Sequence, residues 1–145
     1  MHSGTKIALE HAKLTEKVIG VFYDVYNHFG PGFLESVYQR SMQIALQEIG
    51  IKSDVELPIP VFFRGQNVGE FRADLVVEDT VLIELKVARS IDPAHEAQVI
   101  HYLRSTHLEV GLLFNFGARA EFKRLYLANS NKQIRAISEI RGKVL

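Results

Sequence analysis

Apolar residues recur at steps of three and four through Leu14, Val18, Val21, Phe22, Val25 and Phe29, the spacing of a helix that buries one face. Gly30-Pro31-Gly32 ends that pattern. A second helix is predicted from about Phe33 to Ile49, with Leu34, Val37, Tyr38, Met42, Ala45 and Ile49 as its apolar rows and Gly50 as its stop. The period then falls to two, since Val55, Leu57, Ile59, Val61 and Phe63 alternate with other residues. Pro58 and Pro60 put that strand at a sheet edge. Arg64-Gly65-Gln66-Asn67 has the composition of a turn, and Val68 to Val77 and Thr80 to Val87 read as two further strands of a meander. Asp92 followed by Pro93 is a helix start, predicted to run to about Ser105. Leu108 to Phe116 and Phe122 to Ala128 read as strands. The last fifteen residues are ambiguous, with Ile134, Ile137 and Ile140 spaced as in a short helix.

Two helices, three strands, a helix and two strands predict an α/β (α+β) sandwich with a mixed sheet. No repeat, low-complexity tract or linker divides the 145 residues, so one domain over 1–145 is expected. A chain of this length buries roughly 68–70% of its unfolded surface without a covalent staple. The absence of Cys excludes disulfide frameworks and thiolate zinc sites. No apolar run approaches the ~20 residues of a membrane span, and the first residues lead into no signal-like segment, so a cytoplasmic protein is expected.

Charge adds one asymmetry. Lys+Arg and Asp+Glu balance at 17 each, but residues 1–100 carry 9 basic and 14 acidic groups against 8 and 3 in 101–145. The balance argues against a protein that coats nucleic acid by electrostatics alone. It leaves room for a small site with a basic flank from Arg119, Lys123, Arg124, Lys132, Arg135, Arg141 and Lys143, although a charge-rich segment of this kind is more often simply a solvated surface.

Three charged residues interrupt strongly apolar strands: Asp74, Glu84 and Lys86. Glu84 and Lys86 leave the same strand face, while Val81, Ile83, Leu85 and Val87 take the other. A three-residue loop, Glu78-Asp79-Thr80, pairs Val77 with Val81 and so sets Asp74 opposite Glu84. Opposed side chains have Cβ atoms about 4.5–5.5 Å apart, close enough for two carboxylates to hold one divalent cation. Without a cation they repel, and the pair requires a metal or a counter-charge such as Lys86. The same residues read alternatively as a salt-bridged stripe on an exposed face. Glu35 and Tyr38 lie three apart at the start of the second helix, where a carboxylate also favours the helix dipole. His95, Gln98 and Tyr102 form a polar-aromatic stripe on the third helix, with Val99 and Leu103 as core.

The motifs Gly32-x-x-Glu35-x-x-Tyr38, Gly69-Glu70-Phe71-Arg72-Ala73-Asp74-Leu75, Ile83-Glu84-Leu85-Lys86, His95-Glu96-Ala97-Gln98 and Gly111 to Gly117 occur in that order. Over about residues 14–127 the chain thereby resembles the GxxExxY proteins of the PD-(D/E)xK nuclease-like superfamily. The resemblance implies a restriction-endonuclease-like core, with a helix before a three-stranded meander, then a helix and another strand. It implies Asp74 and Glu84 as metal-binding acids, Lys86 as the catalytic lysine and Glu35 as an acid from the preceding helix. Gln98 and Tyr102 resemble the Gln-x-x-x-Tyr element of RecB-like nucleases, and Ala73 replaces the motif's nominal Pro. The expected activity is phosphodiester hydrolysis in nucleic acid, DNA favoured, with Mg²⁺ or Mn²⁺ held by Asp74, Glu84, the Leu85 carbonyl and Glu35. Tyr102, Tyr38, His95, Arg72 and Arg89 are the expected substrate contacts, with Gln98 positioning a phosphate or base. A homodimer would provide two sites for duplex cleavage. The rival expectations are a binding module without turnover and an assembly subunit that uses the edge strand Val55 to Phe63.

Overall fold

The computed structural model describes residues 3–132, 139–140 and 143–144, with side chains described over 11–132. Two helices, α1 (Ser3–Phe29) and α2 (Glu35–Glu48), precede β1 (Ser53–Phe63), β2 (Gln66–Val77) and β3 (Val81–Lys86). Helix α3 (Pro93–Arg104), β4 (Val110–Phe116) and β5 (Ala120–Tyr126) follow. A 3₁₀ turn spans Asn129–Asn131, and β6 (Glu139–Ile140) pairs with β7 (Lys143–Val144). Ile140 therefore lies in a strand rather than the predicted helix, while Ile134 and Ile137 fall outside the described residues.

The main sheet has the order β1-β2-β3-β4-β5. Only β3 and β4 run parallel, joined by the α3 crossover, so the sheet is mixed as predicted. The proline-bearing β1 is at its edge, where two missing N–H donors are tolerated. Helices α1 and α2 cover one face around Val18, Phe22, Met42, Leu46, Ile83 and Phe114. Helix α3 covers the other through Val99 and Leu103, against Leu57, Ile59, Val76, Leu82 and Leu113. Burying each such side chain contributes about 1.5–3 kcal/mol.

Helix α2 corrects its predicted rows. Leu34 and Ile49 are exposed as the residues flanking the helix, and Leu46, outside the predicted rows, is buried alongside Tyr38 and Met42. Gly50, at φ +77°, closes the helix: its N–H donates to Gln47 O and that of Ile51 to Leu46 O, a Schellman pair that only a left-handed residue permits. Helix α3 begins with the predicted Asp92 cap. Asp92 Oδ1 accepts from the N–H groups of Ala94 (2.8 Å) and His95 (3.2 Å), and His95 Nδ1 accepts from the Asp92 N–H.

Strands β1 and β2 exchange faces part-way along. Val55 and Leu75 pair and pack with the α1/α2 layer, whereas Leu57 and Ala73, the next pair, pack under α3. Between them stand Glu56, at φ +54°, and Asp74. A left-handed non-glycine residue breaks the alternation of the strand, and the outer hairpin bends over α3 from this point.

Candidate functional site

The β2–β3 hairpin turns through Glu78 and Asp79, both left-handed, with the Thr80 N–H donating to Val77 O. Pairing runs through Val77–Val81, Val76–Leu82 and Leu75–Ile83, the register expected from the three-residue loop. One step beyond, where β2 bends away, stand Asp74 and Glu84. Asp74 Oδ2 accepts from the Leu85 N–H at 2.7 Å, and the Asp74 backbone N–H favours the charged form of Glu84. Asp74 thus occupies a backbone donor that the separating strands leave open.

Glu84 is 5% exposed, and its Oε1 is buried with no hydrogen-bond partner. The prediction of a polar strand face is corrected here: Leu82, on the same face as Glu84, is fully buried beneath α3, and the acid sits at the inner end of an apolar layer. That burial also excludes the reading of an exposed salt-bridged stripe. Val87, placed on the apolar face by prediction, lies past the strand end and is 40% exposed.

Burial and the neighbouring Asp74 charge push the Glu84 carboxyl from 4.5 up to about 8. Asp74 is raised to about 6, chiefly by burial and then by Glu35 and Glu56, against the lowering effect of the Leu85 N–H. Lys86, half-buried, draws both carboxyls back toward the charged form. An unpartnered buried oxygen beside a second carboxylate suits an oxygen-seeking cation, which would complete Oε1 and cancel the repulsion. No cluster of three or more His, Cys, Asp or Glu ligands occurs among the described residues. Water and substrate would therefore fill the rest of the shell, the ordinary habit of Mg²⁺.

Helix α2 reaches this gap from one layer. Glu35 is its first residue, and its charge acts on both acids. Tyr38, expected at the substrate, is instead fully buried, stacked on Phe116 with ring centroids 4.2 Å apart. Its hydroxyl donates to Gly30 O at 2.6 Å and accepts from the Phe33 N–H at 3.2 Å. Gly32, at φ +113°, completes that turn. The Gly-x-x-Glu-x-x-Tyr spacing is thus a device in which glycine allows the turn, tyrosine locks it and Glu35 is delivered to the acids.

Helix α3 approaches from the other layer, bringing Gln98 and Tyr102 together through a 2.6 Å hydrogen bond. The Tyr102 hydroxyl is raised by burial and by the Glu84 charge, which puts it within electrostatic reach of the acids. His95 takes part in the helix cap, with Nε2 3.6 Å from Asp92 Oδ2. Arg72 is exposed, donating to Glu56 O and lying 3.5 Å from Glu70, and Arg89 is exposed beyond β3. Of the predicted basic flank, Lys123 lies 3.7 Å from Glu96. Lys132 is corrected to a structural role, its Nζ donating to Thr106 O, Leu108 O and Asn129 Oδ1. Arg135 and Arg141 are outside the described residues.

Sequence reasoning missed three neighbours. Gln39 Nε2 donates to both Glu56 Oε1 and Asp74 O, each at 2.9 Å; its position four residues after Glu35 was the available signal. Glu56 carried none, because nothing in its residue type announces a left-handed φ. Asn115, fully buried, accepts from the Ala88 N–H and donates to Ala88 O, fixing the chain just after Lys86.

A family model described as the PD-(D/E)XK nuclease superfamily matches residues 12–125, a span that contains both acids, Lys86 and the five strands of the main sheet but for the last residue of β5. The chain belongs to the PD-(D/E)XK nuclease superfamily. Its mixed five-stranded sheet between helices is the α+β core of that superfamily. The solved structure of SSO0001 is similar in fold, with a TM-score of 0.50 at 20% identity over 64% of this chain. The chain spans about half the length of that structure. No curated protein matches the chain.

Proposed function

We propose that the chain is a GxxExxY-type nuclease that hydrolyses phosphodiester bonds in nucleic acid, DNA favoured, with Mg²⁺ or Mn²⁺, as one domain over 1–145. The observation that carries this reading is the buried, unpartnered Oε1 of Glu84 beside Asp74 at the opening between β2 and β3. Asp74, Glu84 and the Leu85 carbonyl would hold the ion, with Glu35 reaching it through water. When bound, the ion acidifies a water and polarises the phosphate. Lys86, beside both acids, orients the attacking water and offsets negative charge developing on the phosphate oxygens. Gln98 and Tyr102, joined by their hydrogen bond, position the strand on the α3 side, and Arg89 neutralises a backbone phosphate. Gln39 and Asn115 keep Asp74 and the chain after Lys86 in place.

The test is calorimetric titration of Mn²⁺ and Mg²⁺ into the protein and into Asp74→Asn, followed by cleavage assays on DNA and RNA. Saturable binding lost in Asp74→Asn, with metal-dependent cutting by the parent protein, is the expected result. Binding unaffected by Asp74→Asn overturns the assignment of the acids.

A further inference from the structure

The outer part of the β1–β2 hairpin and the exposed side of α3 flank an open, mostly apolar cavity of about 500 Å³. It is walled by Val68, Gly69 and Phe71 of β2 and by His101, Tyr102 and Arg104 of α3. Phe71 and Tyr102 stack nearly parallel, with centroids 3.7 Å apart and planes 7° from each other. Gly69 presents no side chain to the opening. Arg104 is exposed at the rim, while the acidic lining residue Glu70 lies 3.5 Å from Arg72.

We infer that this cavity receives one unpaired nucleobase of the strand being cut, so that the nuclease acts on single-stranded or locally opened nucleic acid; this rests on the proposed nuclease reading. Four features select that occupant. The cavity is within the roughly 300–1,000 Å³ range of small-ligand pockets and is lined mainly by apolar surface. Phe71 and Tyr102 occupy each other's inner faces, so an entering base would extend this stack on an outer face, as bases stack on aromatic side chains in single-strand-binding proteins. The Arg104 guanidinium offers charge complementarity to the phosphate that accompanies a base. Tyr102 lines this wall and is hydrogen-bonded to Gln98, which the proposed function sets against the strand, so a base seated here lies beside that strand's path. A base in a regular duplex is stacked on both sides and cannot enter without flipping.

The experiment measures binding of fluorescein-labelled single-stranded DNA, single-stranded RNA and duplex DNA by anisotropy, with chelator and again with Mg²⁺, alongside cleavage. A series of oligonucleotides, each lacking one base, is measured on the parent protein, Phe71→Ala and Arg104→Gln. Single strands are expected to bind more tightly than duplex. Loss of one particular base weakens binding to the parent about 10-fold, the size of a single base–aromatic stack. That same loss has no further effect in Phe71→Ala. Arg104→Gln, an exposed change that spares the fold, weakens every oligonucleotide alike. Equal affinity for intact and base-free oligonucleotides at every position overturns the inference. If duplex is cut in an Asp74-dependent way while single strands do not compete, the cavity assignment fails and the nuclease reading stands. If neither binding nor cleavage of any nucleic acid occurs, both fail. The DNA and RNA arms identify which strand supplies the base.

Discussion

Glu84→Gln separates the electrostatic strain at the acid pair from everything else in the fold. In the metal-free protein the native state holds the Glu84 proton up to about pH 8, while the unfolded chain releases it near 4.5. The native state therefore binds more protons than the unfolded state across that window, and linkage makes stability fall as pH rises through it. At about 1.4 kcal/mol per unit, the span from pH 5 to pH 7 removes about 3 kcal/mol. Glutamine cannot ionise, so Glu84→Gln escapes that loss. Its melting temperature relative to the parent should rise by roughly 6–12 °C between the two pH values, given about 2–4 °C per kcal/mol for a domain of this size. The assay is thermal unfolding followed by circular dichroism at pH 5, 6, 7 and 8, with chelator and with Mn²⁺. Mn²⁺ should raise the melting temperature of the parent most at pH 8, where the acids are charged, and leave Glu84→Gln nearly unmoved. Parallel stability curves for the two proteins with chelator would refute the reasoning, because they would mean that Glu84 carries no folded-state strain.

Three further outcomes are expected. Asp74→Asn and Lys86→Ala should each abolish cleavage in a gel assay while keeping a cooperative melt; full activity in either variant removes the residue from the mechanism. Tyr38→Phe loses the hydrogen bonds to Gly30 O and from the Phe33 N–H, costing about 1–2 kcal/mol in urea unfolding and lowering turnover through a displaced Glu35. Asn115→Ala leaves the Ala88 N–H and carbonyl unsatisfied, so a loss of about 2–3 kcal/mol and a weakened rate should be measured together.

The layout of the main sheet was legible because its signals are local. The switch of period after Gly50, the two prolines of β1 and the Asp92-Pro93 start each act within a few residues. The acids were placed in register by counting the hairpin loop, since a side-chain period of two leaves only two choices. The layering was harder to read: a stripe of alternating charge on β3 looks the same whether the face is open or roofed by α3, and only the packed structure buries Glu84. Tyr38 misled for a related reason, because a tyrosine at a helix start suits a substrate contact and a buried latch equally. Glu56 was invisible, because a glutamate in a strand gives no sign of a left-handed φ.

That bend divides the hairpin into parts with different freedoms. On the inner side of Glu56, every second residue is fixed by the α1/α2 layer and by the acids themselves. On the outer side, Leu57, Ile59 and Ala73 join the α3 layer, β1 also meets β6, and the tip carrying Phe62, Phe63 and Val68 is largely exposed. Lengthening, shortening or repainting the tip leaves Asp74, Glu84 and Lys86 where they are. If the proposed function holds, the chemistry sits on the packed seam and the substrate contacts on the outer arm, and new specificities are sought by varying the arm alone.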